Sequence, residues 1–137
     1  MSIGNPKFEI RNKSEMSESG ENRPYDLQER MFVFAKNVRQ FVEKLERTIG
    51  NLEDARQVIR SSGSVAANYI EANEALSKKD FQLRIKICRK EAKESRLWLR
   101  LLDTENGKAD AERERERLRS ESQELMNIFG AIFRKSE

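Results

Sequence analysis

From Tyr25 to Glu137 the chain has no proline and only four glycines, and its apolar residues recur every three or four positions instead of alternating. That pattern calls for long amphipathic helices and leaves almost no room for strands. Both prolines, Pro6 and Pro24, fall in the first 24 residues beside a run rich in Ser, Glu, Asn and Gly. Such a stretch buries too little apolar surface to offset its ordering entropy. Residues 1–24 are therefore expected to form a flexible polar tail, in which Phe8 and Ile10 are candidates for docking, and 25–137 a single helical domain.

Four helices are expected, at about 26–49, 52–75, 78–102 and 108–134. Asp26 with Glu29 has the form of a capping box, and Gly50 is a natural C′ residue. Between them Leu27, Met31, Phe34, Ala35, Val38, Phe41, Val42, Leu45 and Ile49 make one apolar stripe. Asn51 is the expected cap of the second helix, with Asp54 at N3 and an inward face through Val58, Val65 and Tyr69. Gly63 lies inside this helix, in a small-residue run, and costs about 1 kcal/mol relative to Ala. Close approach of another helix over the bare backbone is the expected compensation, with a local kink as the alternative.

Ser77 with Asp80 repeats the capping pattern and opens the third helix, whose core face carries Phe81, Ile85, Cys88, Ala92, Ser95, Leu99 and Leu102. A second strip, Leu83, Ile87, Leu97, Trp98 and Leu101, lies off that face and would be partly exposed in a monomer, which marks it as a candidate partner surface. The turn 103–107 leads to the fourth helix. There Glu112/Arg115, Glu114/Arg117 and Glu116/Arg119 pair at i,i+3 and read as a solvated face. Four amphipathic helices with short turns bury their stripes by packing antiparallel. The expected fold class is therefore all-α, an up-down-up-down four-helix bundle.

Composition narrows the chemistry. The chain has no His and one Cys, which excludes His-based triads, His metal sites, zinc-cysteine clusters and internal disulfides. With 36% apolar and 37% charged residues, no run approaches the roughly 18 apolar residues of a membrane span. The lone thiol and the lack of an apolar leader make the cytoplasm the expected compartment. No catalytic set, cofactor or small-molecule substrate is indicated, and no membrane partner. The net charge of +3 is uneven, since residues 77–107 carry nine basic and five acidic side chains.

The stretch from Arg60 to Phe81, with Arg60, Ser61 to Ser64, Asn68, Glu71 and Ser77 to Phe81, resembles the signature of the bacterial four-helix bundle proteins encoded in intervening sequences of 23S ribosomal RNA genes. The segment from Glu94 to Leu102, with its Leu-Trp-Leu-Arg, adds to the likeness, which spans about 25–135. One departure is Ala72, where many relatives carry Gly. The resemblance implies a homo-oligomer, expected to be a pentameric ring, with no assigned enzymatic activity. Accessory proteins of diversity-generating retroelements look similar in fold and are linked to nucleic acid through a basic surface.

The functional signal in the residues themselves is the third helix. Lys86, Arg89, Lys93, Arg96 and Arg100 recur at steps of three or four and form one cationic stripe, flanked by Lys79 and Lys90. Such a stripe suits phosphate contact without base specificity, so RNA or DNA is the expected partner, through these seven residues. The alternatives are a solvated helix face and a protein-interaction scaffold that uses the apolar strip. Arg60, Ser62, Gly63, Asn68, Glu71, Asp80, Phe81 and Trp98 are candidate structural or oligomer-seam residues. Asn68 and Glu71 are expected to bond across a seam or to the turn before Ser77, and Trp98 to anchor either core or seam.

Overall fold

The computed structural model describes residues 27–105 and 108–137. Four helices follow in order, α1 (Leu27–Glu43), α2 (Ile49–Asn73), α3 (Lys78–Leu101) and α4 (Ala109–Lys135), with no strand among the described residues. The expectations for the segment 1–24, the Asp26 cap and the turn residue Gly107 lie outside the described residues.

Cross-helix contacts fix the directions. On α2 and α3, Ser61 meets Ser95 at 2.7 Å, the Cys88 thiol reaches the Val65 carbonyl at 3.5 Å and Arg84 donates to Asn68 at 2.9 Å. Numbers rise on one helix as they fall on the other, so the pair is antiparallel. Between α3 and α4, Arg96 contacts Gln123 and Gln82 contacts the Ser136 carbonyl at 3.0 Å, again in opposite order. Arg30 of α1 closes the ring with 2.7 Å bonds to Glu121 and Glu124 of α4. Each helix thus has two neighbours in a four-helix bundle.

The core is filled from all four inner faces. Phe34, Tyr69, Phe81 and Phe129 are each at most 1% exposed, with Met31, Ile85, Leu99 and Leu125 between them. The Tyr69 and Phe129 rings are tilted at 50° with centroids 6.3 Å apart, a favourable aromatic arrangement. Each such side chain contributes about 1.5–3 kcal/mol on burial. Ser61 and Ser95 are fully buried, and their mutual hydrogen bond meets the demand that buried hydroxyls be satisfied.

The first two helices differ from expectation at their junction. The first helix ends at Glu43, not at 49, and the tight bonds Lys44 N–H to Phe41 O and Leu45 N–H to Val42 O close it. Thr48, with extended backbone, is the N-cap of α2, and its hydroxyl accepts from the Asn51 N–H at 3.0 Å. Gly50 and Asn51 therefore lie within the first turn of α2, and Ile49 is 89% exposed instead of extending the first stripe. The physical reason is Asn51, which is buried and bonds the Glu46 carbonyl, the Asp103 carbonyl and the Asp103 N–H. Spent on tying two loops together, its side chain is not available as a cap.

Gly63 sits in an unbroken helix, so there is no break there. The close-approach explanation fails as well, because an added Cβ would lie 3.6 Å from the Arg39 guanidinium and meet no backbone of another helix. The close contact between α2 and α3 runs instead through Ser61 and Ser95.

Candidate nucleic-acid interface

Ser77 sets the start of α3, because its hydroxyl accepts from the Asp80 N–H at 3.0 Å. From that start the apolar spacing turns Phe81, Ile85, Cys88, Ala92, Ser95 and Leu99 inward. The cations three or four residues apart are then carried along the side of α3 next to α4. Lys79, Lys86, Arg89, Lys90, Lys93 and Arg100 are exposed, and Arg96 is half-buried.

None of these seven is paired with a carboxylate among the described residues. Arg96 donates to the neutral Gln123 side chain, which positions its charge without cancelling it. Lys86 holds its ammonium 5.4 Å from the centroid of the Phe133 ring, a cation-π contact that also leaves the charge outward. The stripe is therefore a line of uncompensated positive charge, partly steered by α4.

The neighbouring helix is the contrast. Arg113 pairs with Asp110, Arg115 with Glu112, Arg117 with Glu114 and Arg119 with Glu116, all at i,i+3. Arg115 departs from the expected solvated face. It is 18% exposed and donates to the Leu99, Arg100 and Leu102 carbonyls, where the end of α3 leaves acceptors without helical partners. Its partner Glu112 is held below the ordinary carboxylate range, first by the Thr104 hydroxyl and then by Arg115.

The other singled-out residues are spread over α2 and the far side of α3. Arg60 lies 3.7 Å from Glu91 and 3.8 Å from Glu94. Ser62 is buried and bonds its own helix at the Ile59 carbonyl. Asn68 bonds Ser64 at 3.0 Å and accepts from Arg84, so it ties α2 to α3 within one chain. Glu71 is exposed, and Asp80 is half-buried at the cap of α3. Phe81 is core. Trp98 is half-buried, packs against the core edge, and carries a buried Nε1 with no acceptor. Leu97 and Leu101 near it, and Leu83 toward the other end of the helix, are 44%, 55% and 54% exposed.

Cys88 is fully buried and burial pushes its thiol up to about 12, against a smaller opposing effect of Arg84. A thiol held protonated is a poor nucleophile. Among the described residues no group of acidic or thiol side chains is arranged to hold a metal ion. An open cleft of about 1400 Å³ runs between α1 and α4, lined by Asn37, Gln40, Lys44, Arg113, Arg117 and Glu121 among others. Its walls carry both signs of charge. Among the described residues no helix is long and apolar enough to cross a membrane.

Spacing along one helix could not reveal Arg134. It belongs to α4, yet it approaches Arg89 of α3 over Gly130, and only the register between the two helices brings them together.

The family model described as 23S rRNA-intervening sequence protein matches residues 23–131. Among solved structures, the chain is similar to a protein with unknown function from the S23 ribosomal protein family of Bacteroides thetaiotaomicron. The identity is 28% and the TM-score 0.64, over 77% of this chain and 96% of that one. No curated protein matches.

Proposed function

Since this chain belongs to the 23S rRNA-intervening sequence protein family, we propose that it is a non-enzymatic bundle that binds nucleic acid, structured RNA or DNA, through the cationic side of α3. The observation that carries this reading is the uncompensated stripe, Lys86, Arg89, Lys93, Arg96 and Arg100 with Lys79 and Lys90, beside a helix whose cations are mostly paired. Nucleic acid is the partner whose charge spacing suits such a line, since each neutralised phosphate releases a counterion. Assembly as a homo-oligomer, a pentameric ring in the cytoplasm, is part of the same proposal. A ring repeats the stripe, so weak contacts sum to avidity.

The test is Lys86→Glu, Arg89→Glu and Lys93→Glu combined, against a control that reverses Arg113 and Arg117 on α4. The α3 variant is expected to lose binding to a labelled RNA hairpin by 100-fold or more, with the assembly unchanged by light scattering, while the α4 control stays within about threefold. Equal loss in both, or none in either, overturns the reading.

A second reading, a protein-interaction scaffold, is favoured by the exposed Leu83, Leu97 and Leu101 and the unpartnered Trp98 Nε1. Its mark would be capture of a defined polypeptide that persists at high salt.

A further inference from the structure

Gly130 lies in the interior of α4, where glycine weakens a helix relative to alanine. A methyl group there would find room. It would lie 3.5 Å from Arg134 Nη1 and 3.7 Å from Arg89 Nε, both ordinary contacts, and these are the only atoms within 4 Å of it apart from its chain neighbours and its own stretch of helix backbone. No backbone of another helix lies within 4 Å of that methyl position. What lies over it instead is a pair of guanidinium groups, one from α3 and one from α4, whose nearest nitrogens are no more than about 7 Å apart.

Two like charges drawn over one point repel unless an anion lies between them. Neither arginine has a carboxylate partner among the described residues, and Lys86, one turn before Arg89, holds its ammonium over the Phe133 ring of α4. Hydrogen bonds of about 2.9 Å to two oxygens of a single phosphate bridge a gap of this size.

We propose that Arg89 and Arg134, over Gly130, form a seat for one phosphate group, and that on the reading above it takes a phosphodiester of the bound strand. Arg134 then becomes a binding residue outside α3, and the interface spans the α3–α4 groove. The seat deepens the nucleic-acid reading and rests on it for the identity of its natural ligand, though not for its ability to hold phosphate.

Two experiments on the full chain separate the claims. In the first, Arg89→Gln, Arg134→Gln and the double variant are titrated with a labelled RNA hairpin across a salt series, with Arg117→Gln as control. Each single change is expected to lower the slope of log K against log salt by about one. The double is also expected to lower it by about one, because both arginines hold the same phosphate, and the control to leave it unchanged. A double variant that lowers the slope by about two, or an Arg134→Gln variant that matches the control, overturns the seat while leaving the stripe standing. In the second, inorganic phosphate is compared with chloride at equal ionic strength. A saturable rise in melting temperature that disappears in both single variants supports the seat, and an equal response in all three proteins overturns it. If the wild-type protein shows no salt-dependent RNA binding, the nucleic-acid reading fails and the phosphate titration alone decides the seat.

Discussion

Helices α3 and α4 are neighbours of similar length, both crowded with charge, and they use it in opposite ways. On α4 acidic and basic residues alternate at i,i+3, so Arg113, Arg117 and Arg119 are neutralised within their own helix. On α3 the cations at 86, 89, 93 and 100 have no carboxylate partner, while Glu91 and Glu94 turn to Arg60 of α2. The lesson is that the number of charges says little about a binding surface. What matters is whether opposite charges fall within reach of one another. The inner faces of the two helices, by contrast, do the same work.

That last statement is open to the largest effect. Phe81→Ala on α3 and Phe129→Ala on α4, at 1% and 0% exposure, should each cost about 3–5 kcal/mol in urea unfolding. A cost below about 1 kcal/mol at either would break the equivalence of the two cores. A smaller effect separates one arginine of α4 from the rest. Arg115→Ala removes the bonds to three carbonyls at the end of α3 and should cost about 1–2 kcal/mol, whereas Arg117→Ala should stay within about 0.5 kcal/mol. Equal costs would show that Arg115 is one more surface pair.

The smallest effect is a shift in titration at the same corner. Thr104→Val should raise the Glu112 midpoint toward the ordinary carboxylate value, read by NMR, because the hydroxyl contributes most to its depression. The sign follows from linkage. A carboxyl lowered on folding contributes stability above its unfolded pKa and loses it as pH falls through the lower folded value. An unchanged midpoint would remove Thr104 as the cause.

Much of α3 was legible in the sequence because its determinants are local. Ser77 caps it, the spacing of Phe81, Ile85, Cys88 and Leu99 sets its inner face, and the cations three and four apart follow from that face. The junction of α1 and α2 was not legible. Asn51 was the expected cap, but Asp103, 52 residues away, claims its side chain, and Thr48 caps the helix instead. Arg134 and Gly130 escaped for a related reason, since their relation to Arg89 depends on how α3 and α4 slide along each other. Gly63 was visible, but its expected cause was not the observed one: an arginine tip covers it, not a helix.

The central claim is that the uncompensated side of α3 meets phosphates. Its most direct test is the salt dependence of binding by the wild-type chain, measured as anisotropy of a labelled nucleic acid from about 50 to 300 mM salt. Several phosphate contacts predict a straight fall of log K with log salt at a slope steeper than about −4 on duplex DNA, with a comparable trend on structured RNA. A slope near zero, or no binding at the lowest salt, would contradict the account and leave the stripe of α3 as a solvated surface.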